Sequence, residues 1–131
     1  LTGEPIDSGS RKVGCFIGDH VKTAIGSFLN TGTSIGAMSL ILPAGELLPK
    51  HVPEFSRIWH GDLEALTTDG LESAISTARI ALSRRDVELT AAAERLLRSA
   101  YRETQSERTA AIQRSVQRQS SPATQMSAAR S

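Results

Sequence analysis

The sequence predicts a mainly β then α chain: stacked parallel strands built on hexapeptide repeats, followed by a C-terminal helical hairpin. Three observations carry that prediction. Aliphatic residues recur at a six-residue spacing through the first third of the 131 residues. All ten glycines lie between Gly3 and Gly70, where turns are needed, and none follows. The stretch after residue 68 is rich in Ala, Leu, Arg and Glu, which are good helix formers.

The repeat is read by placing Ile17, Thr23, Leu29, Ile35 and Ile41 in one column. The intervening blocks are IGDHVK, TAIGSF, LNTGTS and IGAMSL. Their fifth positions, Val21, Ser27, Thr33 and Ser39, are small or β-branched. Their second positions, Gly18, Ala24, Asn30 and Gly36, are small or turn-tolerant. A hexapeptide rung with one inward aliphatic residue and a small second inward residue suits a triangular coil of short parallel strands. Three rungs, one for each side of the triangle, then make one coil. A thin aliphatic column needs few large rings, in keeping with an aromatic content of 4%. The frame falters before Ile17, where Arg11 falls in the aliphatic column.

Four segments follow. Residues 1–42 form the partial hexapeptide-repeat β-helix, and residues 43–68, with Pro43, Pro49 and Pro53, read as an irregular connector. Residues 69–118 form the helical extension, and the Ser/Ala/Gln-rich residues 119–131 read as a disordered tail. In the extension, Asp69 and Glu72 form a capping-box-like start. Leu71, Ile75, Ala78 and Leu82 share one helical face. Thr90 caps a second helix whose stripe is Ala93, Leu97, Ala100 and Tyr101. The two stripes are expected to face each other and to cover the open end of the strands. Beyond Glu103 only Ile112 and Val116 remain to hold the helix to a partner.

Composition also excludes. No apolar run approaches the roughly 20 residues of a membrane-spanning helix, so no membrane partner is expected. The net charge of +1 argues against nucleic acid, and the nine arginines after residue 83 are interspersed with five acids. One cysteine, Cys15, excludes an intrachain disulfide and suits a cytoplasmic setting; it reads as a small interior residue. Gly9 and Gly14 resemble half a phosphate loop, but Cys15-Phe16 stand where Lys-Ser/Thr is required. His51 and His60 lie nine apart with no neighbouring Cys or carboxylate cluster in sequence, so no metal site is expected. Trp59, flanked by Arg57 and His60, is expected to pack the connector onto the last coil.

The run DSGSRKVGCFIGDHVKTAIG, Asp7 to Gly26, resembles the C-terminal left-handed parallel β-helix of sugar-1-phosphate nucleotidyltransferases. It is most similar to the bifunctional N-acetylglucosamine-1-phosphate uridylyltransferase/glucosamine-1-phosphate acetyltransferase type. LNTGT and LLPKHVPEF continue the likeness, which covers roughly residues 3–60. The resemblance implies a transferase of nucleotide-sugar biosynthesis, of which this chain is a fragment, and a homotrimer. It implies an upstream domain joining a sugar 1-phosphate to a nucleoside triphosphate with magnesium. Where the second activity exists, acetyl-CoA donates the acyl group. Catalytic residues are expected upstream of Leu1, so none is assigned here and the fragment alone is expected to be inactive. A family lysine that contacts the sugar phosphate falls on Lys12. Arg11 and Lys12 are therefore the candidate residues for the phosphate of the sugar or of CoA. The family's Asn-Tyr-Asp triplet would fall on Ile6-Asp7-Ser8 and is not reproduced. His20 stands where the related motif has Asp, and Asp19, His20 and Lys22 are expected on a polar outer face. The alternative is a non-catalytic hexapeptide module that holds copies of the chain together.

Overall fold

The computed structural model describes residues 7–43 and 45–120, with backbone alone for 118–120. Among the described residues seven short strands precede three helices. The strands are β1 (Phe16–Ile17), β2 (Lys22–Thr23), β3 (Ser34–Ile35), β4 (Leu40–Leu42), β5 (His51–Val52), β6 (Ser56–Trp59) and β7 (Asp62–Ala65). They form two sheets, ordered β1-β3-β5 and β2-β4-β6-β7. Every pairing is parallel except the final β6–β7 hairpin.

The register matches the repeat. Ile17 lies beside Ile35 and Thr23 beside Ile41, an advance of three hexapeptides in each sheet. The next pairings, Ile35 with Val52 and Ile41 with Ile58, each fall one position short of that advance. Outside the two sheets Phe28 bridges Leu47 in parallel. Burial follows the column downward: Ile17 is 54% exposed, whereas Ile35 is 2% and Ile41 0% exposed. Val52, Ile58 and Leu48 complete this interior with Leu63. The small positions behave alike, with Thr33, Ser39 and Ser56 all buried. The Ser39 hydroxyl donates to the Pro53 carbonyl at 3.0 Å, satisfying a buried polar group.

One corner shows why glycine is needed. A Cβ on Gly36 would lie 2.3 Å from the Glu54 backbone nitrogen, so the next pass of chain leaves no room for a side chain. Two residues on, Met38 and Phe55 share the left-handed backbone conformation (φ 62° and 53°) with His20 above them (φ 58°). Non-glycine residues adopt this conformation at a cost. Here Met38 and Phe55 are turned into a second core, with Leu66, Leu71, Ile75 and Leu89.

Several expectations from sequence are corrected by the fold. Residues 43–68, expected as an irregular connector, carry β5, β6 and β7. The prolines sit outside the ladders, where a missing N–H costs nothing. Three helices, not a two-helix hairpin, follow: α1 (Thr68–Ser83), α2 (Ala91–Glu103) and α3 (Gln105–Ser120). α1 is capped by Thr67, whose hydroxyl accepts from the Gly70 amide at 3.1 Å; Asp69 lies inside the first turn. Thr90 caps α2 as expected, accepting from the Ala93 amide. The α1 and α2 stripes pack around Phe55 at the corner, rather than over the end of the strands.

The lower end of the strands is closed by α3. The chain breaks at Thr104, whose hydroxyl donates to the Ala100 carbonyl, a back-bond that bends helices. α3 then places Ala111 in the interior column, with Ile112 packed against it. Ile112 therefore serves the chain's own core. α3 runs on to Ser120, so it takes in the start of the expected tail; the rest of that tail lies outside the described residues. Among the described residues no helix is long and apolar enough to cross a membrane.

The burial gradient sets a stability prediction. Ile41→Ala should cost about 3 kcal/mol, because a closed interior cannot fill the cavity. Ile17→Ala should cost under about 1 kcal/mol, because its side chain already meets solvent. Urea unfolding of both variants followed by circular dichroism measures the difference.

Candidate functional site

Arg11 and Lys12 sit together on an exposed turn that precedes β1. Local bonds shape it: the Asp7 carboxylate accepts from the Gly9 amide at 2.9 Å, and the Ser10 hydroxyl donates to the Lys12 carbonyl at 3.0 Å. Both cationic side chains are thereby presented at the surface on adjacent residues. Two neighbouring cations can hold one phosphate through charge-assisted hydrogen bonds. The turn is tied down by the Gly32 amide, which donates to the Gly14 carbonyl at 3.1 Å, and by Thr31, whose hydroxyl donates to the Val13 carbonyl. Cys15 is exposed rather than interior, and its thiol faces the Asn30 carbonyl at 3.3 Å.

His20 and Lys22 lie at the next corner. His20 takes its place through backbone conformation, as the turn residue above Met38 and Phe55. Lys22 folds back so that its ammonium donates to the His20 carbonyl at 3.4 Å. Partial burial pushes the Lys22 pKa below the ordinary lysine value. Asp19 is exposed, and its carbonyl accepts from the Met38 amide. These residues form a rim on the first pass of chain, separate in the fold from the Arg11–Lys12 turn.

A polar cluster that sequence reading misses lies where α3 meets the strands. Arg108 is 2% exposed. It donates to the Tyr101 carbonyl at 2.8 Å and to the Thr104 hydroxyl at 2.7 Å. Its guanidinium also stands 4.5 Å from the Tyr101 ring centre and 5.7 Å from that of Phe55. Such contacts stabilise a desolvated cation. Tyr101 in turn meets Phe55 edge to face and donates to the Leu66 carbonyl at 2.8 Å. Nearby, the His51 Nε2 approaches the Glu107 Oε1 at 3.9 Å. Burial lowers the His51 pKa, while the fields of Glu107 and Glu54 oppose that shift. In sequence Arg108 is one of nine arginines after residue 83; only the break at Thr104, which sends α3 back under the strands, distinguishes it.

A set of ion pairs locks α1 to α2. Arg98 bridges Glu72 on α1 and Glu94 on its own helix, and Arg79 reaches Glu94 at 2.7 Å. The Arg98 guanidinium holds both carboxylates below their usual pKa range. These four charges are thus consumed within the fold. Among the described residues no group of three or more His, Cys, Asp or Glu side chains could hold a metal ion.

The His51 environment predicts a pH dependence. Its folded pKa is depressed below about 6.5, the unfolded value, so the folded chain binds fewer protons there. That contribution is complete above the unfolded pKa and is lost as pH falls from there through the lower folded pKa. Unfolding free energy should therefore decrease as pH falls below about 6.5 by this route, and His51→Gln should flatten that part of the profile. Denaturant titrations of both proteins across the range measure it.

Compared with known proteins, the chain finds no counterpart: no family model, no curated protein and no solved structure matches it.

Proposed function

We propose that this chain is the C-terminal region of a sugar-1-phosphate nucleotidyltransferase of nucleotide-sugar biosynthesis, acting in the cytoplasm. In this reading its strands form part of a left-handed parallel β-helix that holds copies of the enzyme together as a trimer. The observation that supports it is the register: three hexapeptides make one pass, and strands one pass apart lie side by side, Ile17 with Ile35 and Thr23 with Ile41. That spacing joins the residues of the Asp7–Gly26 run, which resembles this family, to the geometry such a coil needs. Fold alone does not specify chemistry, so the site carries the functional part of the reading.

The site is the Arg11–Lys12 turn. Its exposed pair of cations suits the phosphate of a sugar 1-phosphate or of CoA. Acetyl-CoA would supply an acyl group there, and this chain's part is to bind and orient its phosphates. Magnesium and the nucleoside triphosphate belong to a nucleotidyltransferase domain outside these residues. A second reading, a non-catalytic oligomerisation module, is favoured by the exposed apolar side chains Trp59 and Ile25 on and beside the β2-β4-β6-β7 sheet.

Nuclear magnetic resonance titration separates the two. Glucosamine 1-phosphate, and CoA in a separate series, should shift the Arg11 and Lys12 resonances, and Lys12→Ala should weaken binding about tenfold. Titrations that leave both residues unmoved would remove the phosphate site and leave the oligomerisation module.

A further inference from the structure

The turn that carries Arg11 and Lys12 has no strand of its own, so its place depends on what the rest of the fold does to it. Two amides near its tip are already used. The Gly9 amide donates to the Asp7 carboxylate at 2.9 Å, and the Ser10 amide to the Ser8 hydroxyl at 3.2 Å. Neither is open to an anion, which leaves more of the binding to the two long cationic side chains. Such side chains lose much freedom when they close on a ligand, and fixing the backbone beneath them lowers that cost.

The backbone there is fixed at three consecutive carbonyls. The Lys12 carbonyl accepts from the Ser10 hydroxyl at 3.0 Å, the Val13 carbonyl from the Thr31 hydroxyl, and the Gly14 carbonyl from the Gly32 amide at 3.1 Å. The first donor belongs to the turn and moves with it. The other two belong to the next pass of chain, and the Cys15 thiol adds a third link, donating to the Asn30 carbonyl at 3.3 Å. Among the described residues, every hydrogen bond that joins residues 7–15 to another part of the fold thus involves one corner, Asn30 to Gly32. That corner is itself braced. The Asn30 side chain accepts from the Thr31 amide at 2.8 Å, and the Asn30 carbonyl accepts from the amide of Thr33, which is fully buried.

Of the corner's three contributions to the turn, only the Thr31 hydroxyl comes from a side chain, and it acts on the residue next to Lys12. Thr31 is exposed, so its methyl group fills no core. We propose that Thr31 is a positioning residue for the phosphate site: by holding the Val13 carbonyl, its hydroxyl sets Arg11 and Lys12 in the arrangement that takes a phosphate. This rests on the phosphate-binding reading above and gives that site a second part, contributed by the next pass of chain.

Nuclear magnetic resonance titration of the full chain with glucosamine 1-phosphate, and separately with CoA, tests this. Thr31→Val keeps the shape of the side chain and removes the donor. It should weaken binding of whichever compound the wild type takes about fivefold, and lower the backbone heteronuclear NOE of Arg11 and Lys12. Thr31→Ser keeps the donor and should bind within about twofold of wild type. In a Lys12→Ala background Thr31→Val should cost less than it does alone, because the lysine it positions is gone. Thr31→Ala, a second variant without the donor, should match Thr31→Val, and circular dichroism checks that each variant is folded. Wild-type affinity in the folded Val and Ala variants, a loss that the Ser variant shares, or penalties that simply add would each overturn the role of Thr31 and leave the phosphate site standing. A wild-type chain that binds neither compound would overturn both.

Discussion

The structure depends on one constraint, the near-equal length of successive passes of the chain. Because the second pass is only one position shorter than the first, Ile17, Ile35 and Val52 fall in one line and Thr23, Ile41 and Ile58 in another. Backbone amides then meet the carbonyls of the neighbouring pass: Gly18 with Ile35, and Gly36 with Val52, both at 2.8 Å. A single residue inserted within a strand would turn the later side chains of that strand to the opposite face. The closeness of the passes at Gly36 shows how little slack exists, since a methyl group there would overlap the Glu54 backbone. The left-handed residue is retained at the end of this corner in both passes, as Met38 and then as Phe55.

This same corner joins the strands to the helices. Met38 and Phe55 point away from the interior column because of their left-handed backbone, and so form the nucleus of the second core. α1 and α2 cover them, locked by Arg98, while Tyr101 and Arg108 close around the Phe55 ring. The strain at two backbone positions is thus offset by the aromatic and apolar packing that it makes possible. The helices are not an appendage to the strands, because Phe55 belongs to both.

Much of the β part was legible from spacing alone. Of the column, Ile17, Thr23, Ile35 and Ile41 recur in the strand register, Ile35 and Ile41 are buried in the interior with Leu29 packed against it, and the small residues Thr33 and Ser39 are buried as their positions require. The helical stripes from Leu71 and from Ala93 were legible for the same reason, a fixed period. What escaped has no period. Three prolines concealed β5 to β7, since such short strands leave little alternation to read. The break at Thr104 depends on a hydroxyl back-bond and on where α3 finds apolar surface, and the second of these is not local. Of the site, the Arg11–Lys12 pair was legible as adjacent cations, whereas His51 meets Glu107, and Arg108 reaches the Phe55 ring, only through tertiary packing.

The two ends of the strand stack differ in a way that bears on assembly. At the lower end an antiparallel strand, β7, and the helix α3 cover the interior column, and Ala111 completes it. At the upper end Phe16, Ile17 and Phe28 are exposed. Unpaired strand edges beside exposed apolar side chains invite further pairing. Among the described residues the stack is closed at its lower end and presents apolar side chains at its upper end. The sheet face with Trp59 lies along the side of the stack rather than at either end.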